Sequence, residues 1–196
     1  MGLAVMKLYG LLGYPLGHSF SAKYFAEKFA KEGIDATYKN FEFAEVADAV
    51  AYLLQQDDLQ GFNVTIPHKQ AIMPYLNGLS AEAEAIGAVN VVCVKRDADG
   101  AVKLLGCNSD VVGFSNSIQP LLRPMLHSKA LVLGTGGASK AVMYGLRKLG
   151  VEPIYVSRTP KEGQLTYNDL TPEVMRDYKV IVNCTPLGMY PKVDAC

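Results

Sequence analysis

Gly134-Thr135-Gly136-Gly137-Ala138-Ser139 follows the apolar run Ala130 to Leu133 directly and leads into a helical pattern. In that setting Gly134 permits a tight turn, and Gly136 lets backbone amides approach a pyrophosphate with no Cβ in the way. Gly137, Ala138 and Ser139 then open a helix whose unpaired N–H groups and partial positive charge favour a phosphate. Ser139 stands at the third small position and still allows close packing of helix on strand. A glycine turn that binds nothing is the plain alternative. The next strand selects the dinucleotide. An NAD site wants Asp or Glu at its end, about 20 residues on, to bind the ribose 2′-hydroxyl. Here the strand ends Val156-Ser157-Arg158-Thr159, with Lys161 just beyond. A guanidinium can grip a 2′-phosphate that a carboxylate would repel. NADP(H) is favoured, against a merely solvated loop cation at Arg158.

Three polar clusters lie in the first half, each at an apolar strand. They are Gly13 to Ser21, Gly61 to Lys69, and a third that begins Gly87-Ala88-Val89-Asn90 and reaches Asn108-Ser109-Asp110. In an open α/β sheet, ligands bind beyond the carboxyl ends of strands, so these clusters should converge. Ser19, Ser21, Asn63, Thr65 and Asn90 supply neutral hydrogen bonds suited to a hydroxylated or carboxylated small molecule. Lys69 and Asp110 add one charge of each sign. Singly, each has a plain role: Ser19 or Ser21 as helix cap, Asn90 and Asp110 as turn closers, Lys69 as a solvated helix residue. His18 and His68 read as turn hydrogen-bonders rather than catalysts.

The elements that must position these residues alternate. Strands are expected at Lys7 to Leu12, Thr37 to Phe43 and Gly61 to Ile66, with helices at Ser21 to Lys31 (stopped by Gly33), Val46 to Leu54, His68 to Leu76 and Ala81 to Ile86. Val89 to Val94 and Val102 to Leu105 flank Asp97-Ala98-Asp99-Gly100, a hairpin signal. These patterns imply a mostly parallel sheet with an antiparallel edge. Asp110 to Leu122 reads as a helix punctuated by Pro120 and Pro124. The pattern then restarts as strand Ala130 to Leu133, helix Ala138 to Leu149, and strands Pro153 to Val156 and Val180 to Cys184. The fold class is α/β, with a substrate domain over 1–113 and a Rossmann-like dinucleotide domain over 114–196, the boundary lying near 111–125.

Nineteen basic residues balance nineteen acidic ones among 196, so no strong field exists to recruit nucleic acid or an anionic membrane. Cys93, Cys107, Cys184 and Cys196 form no CxxC pair, and the three histidines lack ligand spacing. No metal site is expected, and the cysteines read as reduced, buried thiols. Neither a signal peptide nor a membrane-spanning run is found, which makes the cytoplasm the default.

Seven motifs occur in one order: Gly13-x-Pro15-x-x-His18-Ser19-x-Ser21, Asn63-Val64-Thr65-x-Pro67-x-Lys69, Gly87-Ala88-Val89-Asn90, Asn108-x-Asp110-x-x-Gly113, Gly134-x-Gly136-Gly137-Ala138-Ser139, Ser157-Arg158-Thr159 and Asn183-x-Thr185-Pro186-x-Gly188-Met189. The series resembles the shikimate dehydrogenase family over essentially the whole chain. The resemblance implies NADPH-dependent reduction of 3-dehydroshikimate to shikimate in chorismate and aromatic amino-acid biosynthesis; a monomer and a homodimer both stay open. It makes Ser19 and Ser21 ligands of the substrate carboxylate and gives Asn63, Thr65, Asn90 and Asp110 the ring hydroxyls. Lys69 with Asp110 becomes the catalytic pair, and Thr185 lies on the nicotinamide side. Hydride arriving at a ketone leaves an alkoxide, which a positioned ammonium can stabilise and protonate.

Ser157 stands where the family has Asn. The sequence ends at Cys196, ahead of the family's further strands, its substrate-touching Tyr and Gln, and its C-terminal helices. The dinucleotide domain is therefore expected to be incomplete, with an unpaired sheet edge. Two other functions stay open: a non-catalytic shikimate- and NADP-binding or regulatory module, and a quinate/shikimate dehydrogenase.

Overall fold

A computed structural model describes residues 6–189 and 193–194. The chain divides into two units, Met1–Ser109 and Asp110–Cys196. The first carries β1 (Lys7–Gly13), α1 (Ser21–Glu32), β2 (Ala36–Glu42), α2 (Val46–Leu53), β3 (Leu59–Val64), α3 (His68–Ala71), β4 (Gly78–Leu79), α4 (Ala81–Ile86), β5 (Val91–Arg96) and β6 (Val102–Cys107). Its sheet has the order β2-β1-β3-β5-β6-β4. β1 lies parallel to both β2 and β3, while β5 runs antiparallel to β3 and β6. The expected hairpin forms, but not as the edge. The two-residue β4, absent from the sequence pattern, pairs parallel to β6 and takes that place.

Leu8, Leu12, Phe62, Val64 and Val92 from the strands pack with Ala49, Val50 and Leu53 of α2 in one core. α1 contributes no fully buried residue and docks instead through aromatic rings, Phe29 against Tyr9 and Phe25 against Tyr38. It stops at Gly33, whose φ of 64° suits a residue without Cβ. The helix expected over 68–76 breaks after Ala71 into a 3-10 turn at Met73–Tyr75, because Pro74 removes a helix donor.

The second unit holds α5 (Asp110–Ile118), β7 (Lys129–Leu133), α6 (Gly137–Lys148), β8 (Glu152–Val156), α7 (Pro172–Asp177) and β9 (Val180–Asn183). Its three strands are parallel in the order β8-β7-β9. The division between units falls four residues ahead of the 113/114 boundary read from sequence, because α5 packs on α6 (Ser109 against Gly113). A Cβ on Gly145 would lie 2.9 Å from Ser115 Oγ and 3.0 Å from Phe114, so the two helices touch closely. Helix α7 is not among the expected elements, although Thr171, which accepts from the Val174 amide, and Pro172 in the first turn are starting signals.

Candidate functional site

Parallel β1 and β3 are neighbours, and the chain turns outward from them in opposite directions, to β2 on one side and to β5 on the other. Their carboxyl ends therefore bound a switch point, where open α/β sheets leave a crevice. Ser19 and Ser21 follow β1; Asn63 ends β3 and Thr65 follows it. Because β5 is antiparallel to β3, Asn90, just ahead of β5, lies at the same sheet edge, and β6 brings Asn108 and Ser109 back to it.

Hydrogen bonds fasten these loops together. The Thr65 amide donates to Leu12 O (2.8 Å), that of Tyr14 to Ile66 O (3.0 Å), that of Val64 to Asn90 O (2.8 Å) and that of Val89 to Lys69 O (2.7 Å). Asn108 Nδ2 donates to Ala88 O at 2.9 Å. Lys69 is half-buried in the first turn of α3, beside the fully buried His68. His68 bonds Phe43 O through Nε2 (2.7 Å), a contact between segments 25 residues apart rather than the turn hydrogen bond expected, while His18 is exposed.

Ser19 Oγ accepts from the Ser21 amide at 3.3 Å, but Phe20 stands at the start of α1 and no side chain caps the helix, so neither serine fills the capping role expected of it. Asn90 is buried, and its carboxamide engages Ser109 twice, accepting from the amide (2.8 Å) and donating to Oγ (3.0 Å). That contact spans 19 residues across the β5–β6 pair, so it is tertiary and not the local turn closure expected of Asn90. Asp110 opens α5, where a carboxylate suits the positive end of the helix. It belongs to the second unit and Lys69 to the first.

In the second unit, β7 sits between β8 and β9, which gives that sheet a switch point of its own at the carboxyl ends of β7 and β9. Gly134 turns there with φ 95°, and its amide donates to Val156 O. Gly136 is extended, at φ −73° and ψ −179°, and no atom lies within 4 Å of where its Cβ would be. Gly137 and Ala138 follow in the first turn of α6, which has no side-chain cap. Ser139 is fully buried, and its hydroxyl donates to Gly136 O at 2.7 Å. Thr185 stands over the turn, its Cγ2 3.1 Å from a Cβ placed on Gly134. Ser157 is buried and accepts from the Thr159 amide, whereas Arg158, Thr159 and Lys161 are exposed. Arg158 makes no ion pair among the described residues.

The model of the shikimate dehydrogenase substrate binding domain matches residues 11–92. The shikimate dehydrogenase (NADP(+)) of Caldanaerobacter subterraneus subsp. tengcongensis is 34% identical over 203 residues, covering 95% of this chain and 71% of that protein. The Clostridium beijerinckii protein of the same name is 38% identical, covering 96% and 71%. The chain belongs to the shikimate dehydrogenase family. Among solved members, the Aquifex aeolicus enzyme superposes with a TM-score of 0.80 at 35% identity, over 98% of this chain and 73% of that one. The Thermus thermophilus member, solved in complex with NADP(H) and shikimate, gives 0.78 at 29% identity, over 97% and 72%.

Beside the family's motif residues the fold places two side chains that sequence reasoning passed over or left without a role. Ser109, just past β6, binds the Asn90 carboxamide just ahead of β5. Tyr38, on β2, donates to Asn63 Oδ1 at 2.8 Å. Burial pushes its phenol up to about 12, and a hydrogen bond from Ser21 pulls the other way. The cysteines need one correction. Cys93 is exposed, not buried, because the alternation of β5 turns Val92 to the core and Cys93 away from it. Cys107 and Cys184 are half-buried free thiols, and Cys196 lies outside the described residues. Among the described residues no helix is long and apolar enough to cross a membrane.

Proposed function

We propose that this chain catalyses the reversible, NADPH-dependent reduction of 3-dehydroshikimate to shikimate. Residues 1–113 would hold the substrate and 114–196 the dinucleotide. The observation that carries the reading is the gathering of Ser19, Ser21, Asn63, Thr65 and Asn90 at the switch edge of one sheet, with Lys69 on a turn fastened to the same edge.

The second unit suits NADP(H) on three counts. The extended Gly136 faces open space, the first turn of α6 keeps uncapped amide donors, and Arg158 at the end of β8 is exposed where a carboxylate would mark an NAD site. Gly134, Gly136, Gly137, Ala138 and Ser139 would form the pyrophosphate turn, and Ser157, Arg158, Thr159 and Lys161 the 2′-phosphate grip. Thr185 would border the nicotinamide. When bound, NADPH supplies the hydride.

The protein's part is orientation and proton transfer. Ser19 and Ser21 hydroxyls receive the substrate carboxylate, and Asn63, Thr65, Asn90 and Asp110 fix the ring hydroxyls. As the ketone carbon is reduced, the Lys69 ammonium stabilises the forming alkoxide and gives it a proton. Asp110 is the proposed second member of the catalytic pair. We place the enzyme in the cytoplasm as a monomer or homodimer with small-molecule partners.

The test follows NADPH absorbance with the purified chain, shikimate and NADP+, with quinate and NAD+ as competitors. Shikimate-dependent NADP+ reduction is expected. Shikimate binding with no turnover would make the chain a binding module instead, and preference for quinate would change the substrate.

A further inference from the structure

Tyr38 lies on β2, with β1 between it and β3, yet its phenol reaches across to the substrate edge. The ring stacks on Phe25 of α1, centroids 4.4 Å apart and planes 13° from parallel. Its oxygen reaches the candidate substrate site: the phenol donates to Asn63 Oδ1 at 2.8 Å, and Ser21 is its second polar neighbour. The phenol's proton goes to Asn63 Oδ1, as the 2.8 Å bond records.

A carboxamide has nearly identical ends in shape and opposite ends in hydrogen bonding. Its other contact here is weak, since Asn63 Nδ2 lies 3.5 Å from Asn90 O. The phenol therefore decides which way Asn63 faces. We propose that Tyr38 is a positioning residue, which locks the Asn63 carboxamide with its NH2 presented to a substrate hydroxyl and links that subsite to Ser21. The inference rests on the substrate site proposed above. Ser21 turning its proton to a bound carboxylate leaves its oxygen able to compete with Asn63 for the phenol proton. Occupation of the carboxylate subsite is thus felt at the hydroxyl subsite through one shared group.

Tyr38→Phe keeps the ring on Phe25 and deletes only the hydroxyl. Calorimetric titration of the full chain with shikimate should show affinity falling roughly three- to tenfold, with little change in thermal midpoint. On an Asn63→Ala background the same change should cost nothing further. The coupling between Ser21→Ala and Asn63→Ala, measured as a double-mutant cycle, should vanish when Tyr38 is Phe. Equal affinity of wild type and Tyr38→Phe, or a loss that persists on Asn63→Ala, overturns the proposal. If the wild type takes up no shikimate, the function proposed above fails, and the Asn63 side-chain amide protons decide about Tyr38. One carboxamide orientation in the wild type and two in Tyr38→Phe, by NMR, would support it; the same orientation in both would end it.

Discussion

The amide of Val89 donates to the main-chain carbonyl of Lys69 at 2.7 Å, a backbone bond that fastens the turn whatever side chain stands there. Removing the side chain should leave turn and fold in place. Lys69→Ala is expected to lower kcat by about two to four powers of ten while KM for shikimate moves little. Steady-state kinetics alongside circular dichroism checks this, and a near-normal kcat removes the proton-transfer role.

Two glycines of the dinucleotide turn should respond in opposite ways. At Gly134 an alanine meets both a φ of 95° and a methyl 3.1 Å from Thr185 Cγ2, with Cys184 O at 3.2 Å. A loss of about 1–3 kcal/mol of stability is expected. Gly136 has ordinary extended backbone and open space, so Gly136→Ala should stay within about 1 kcal/mol of wild type. Its added methyl would intrude where a pyrophosphate must approach, and NADPH affinity should fall. Thermal melts and NADPH fluorescence titrations on both variants separate fold from ligand.

Arg158 is exposed and makes no ion pair among the described residues, which leaves its guanidinium available to a ligand. Arg158→Asp should weaken NADPH binding roughly tenfold to a hundredfold and turn the preference toward NADH. Thermal stability should hardly change. Parallel kinetics with both cofactors give the answer, and an unaltered ratio assigns the 2′-phosphate elsewhere.

How a residue signals its role in sequence explains what was legible. The glycine turn and Arg158 stood out because their jobs depend on neighbours along the chain: a strand before, a helix after, a second strand end. Ser19, Asn63 and Lys69 were visible for the same reason. Tyr38 was not, since a tyrosine among strand formers says only "strand", and its contact with Asn63 exists because the sheet order sets β2 beside β1 and β1 beside β3. The engagement of Asn90 by Ser109 likewise needed the antiparallel pairing of β5 with β6. The exposure of Cys93 followed from which face of β5 met the core, which a four-residue apolar run could not reveal.

Thiol reactivity should follow the same burial pattern. Burial pushes the Cys184 thiol up to about 11 and also raises that of Cys107, whereas Cys93 is exposed. Iodoacetamide at about pH 8 reacts through thiolate, so Cys93 should be alkylated first and Cys184 only on unfolding. Peptide mass spectrometry over a time course reads the order, and early labelling of Cys184 would contradict its burial.

Alkali offers a separate reading of Tyr38. Its phenol lies near 12 in the folded chain against an ordinary value of 10, chiefly through burial. Between those values the native state keeps the proton that the unfolded chain has lost, so the unfolded state binds fewer protons and stability falls as pH rises. The contribution is complete below pH 10 and is lost as pH climbs through 12. Tyr38→Phe has no such proton, and its stability should decline less steeply over that interval. Urea midpoints for both proteins at several alkaline pH values give the two slopes. Parallel curves would mean that the phenol titrates alike in both states, and that Asn63 and Ser21 do not hold it in the environment described.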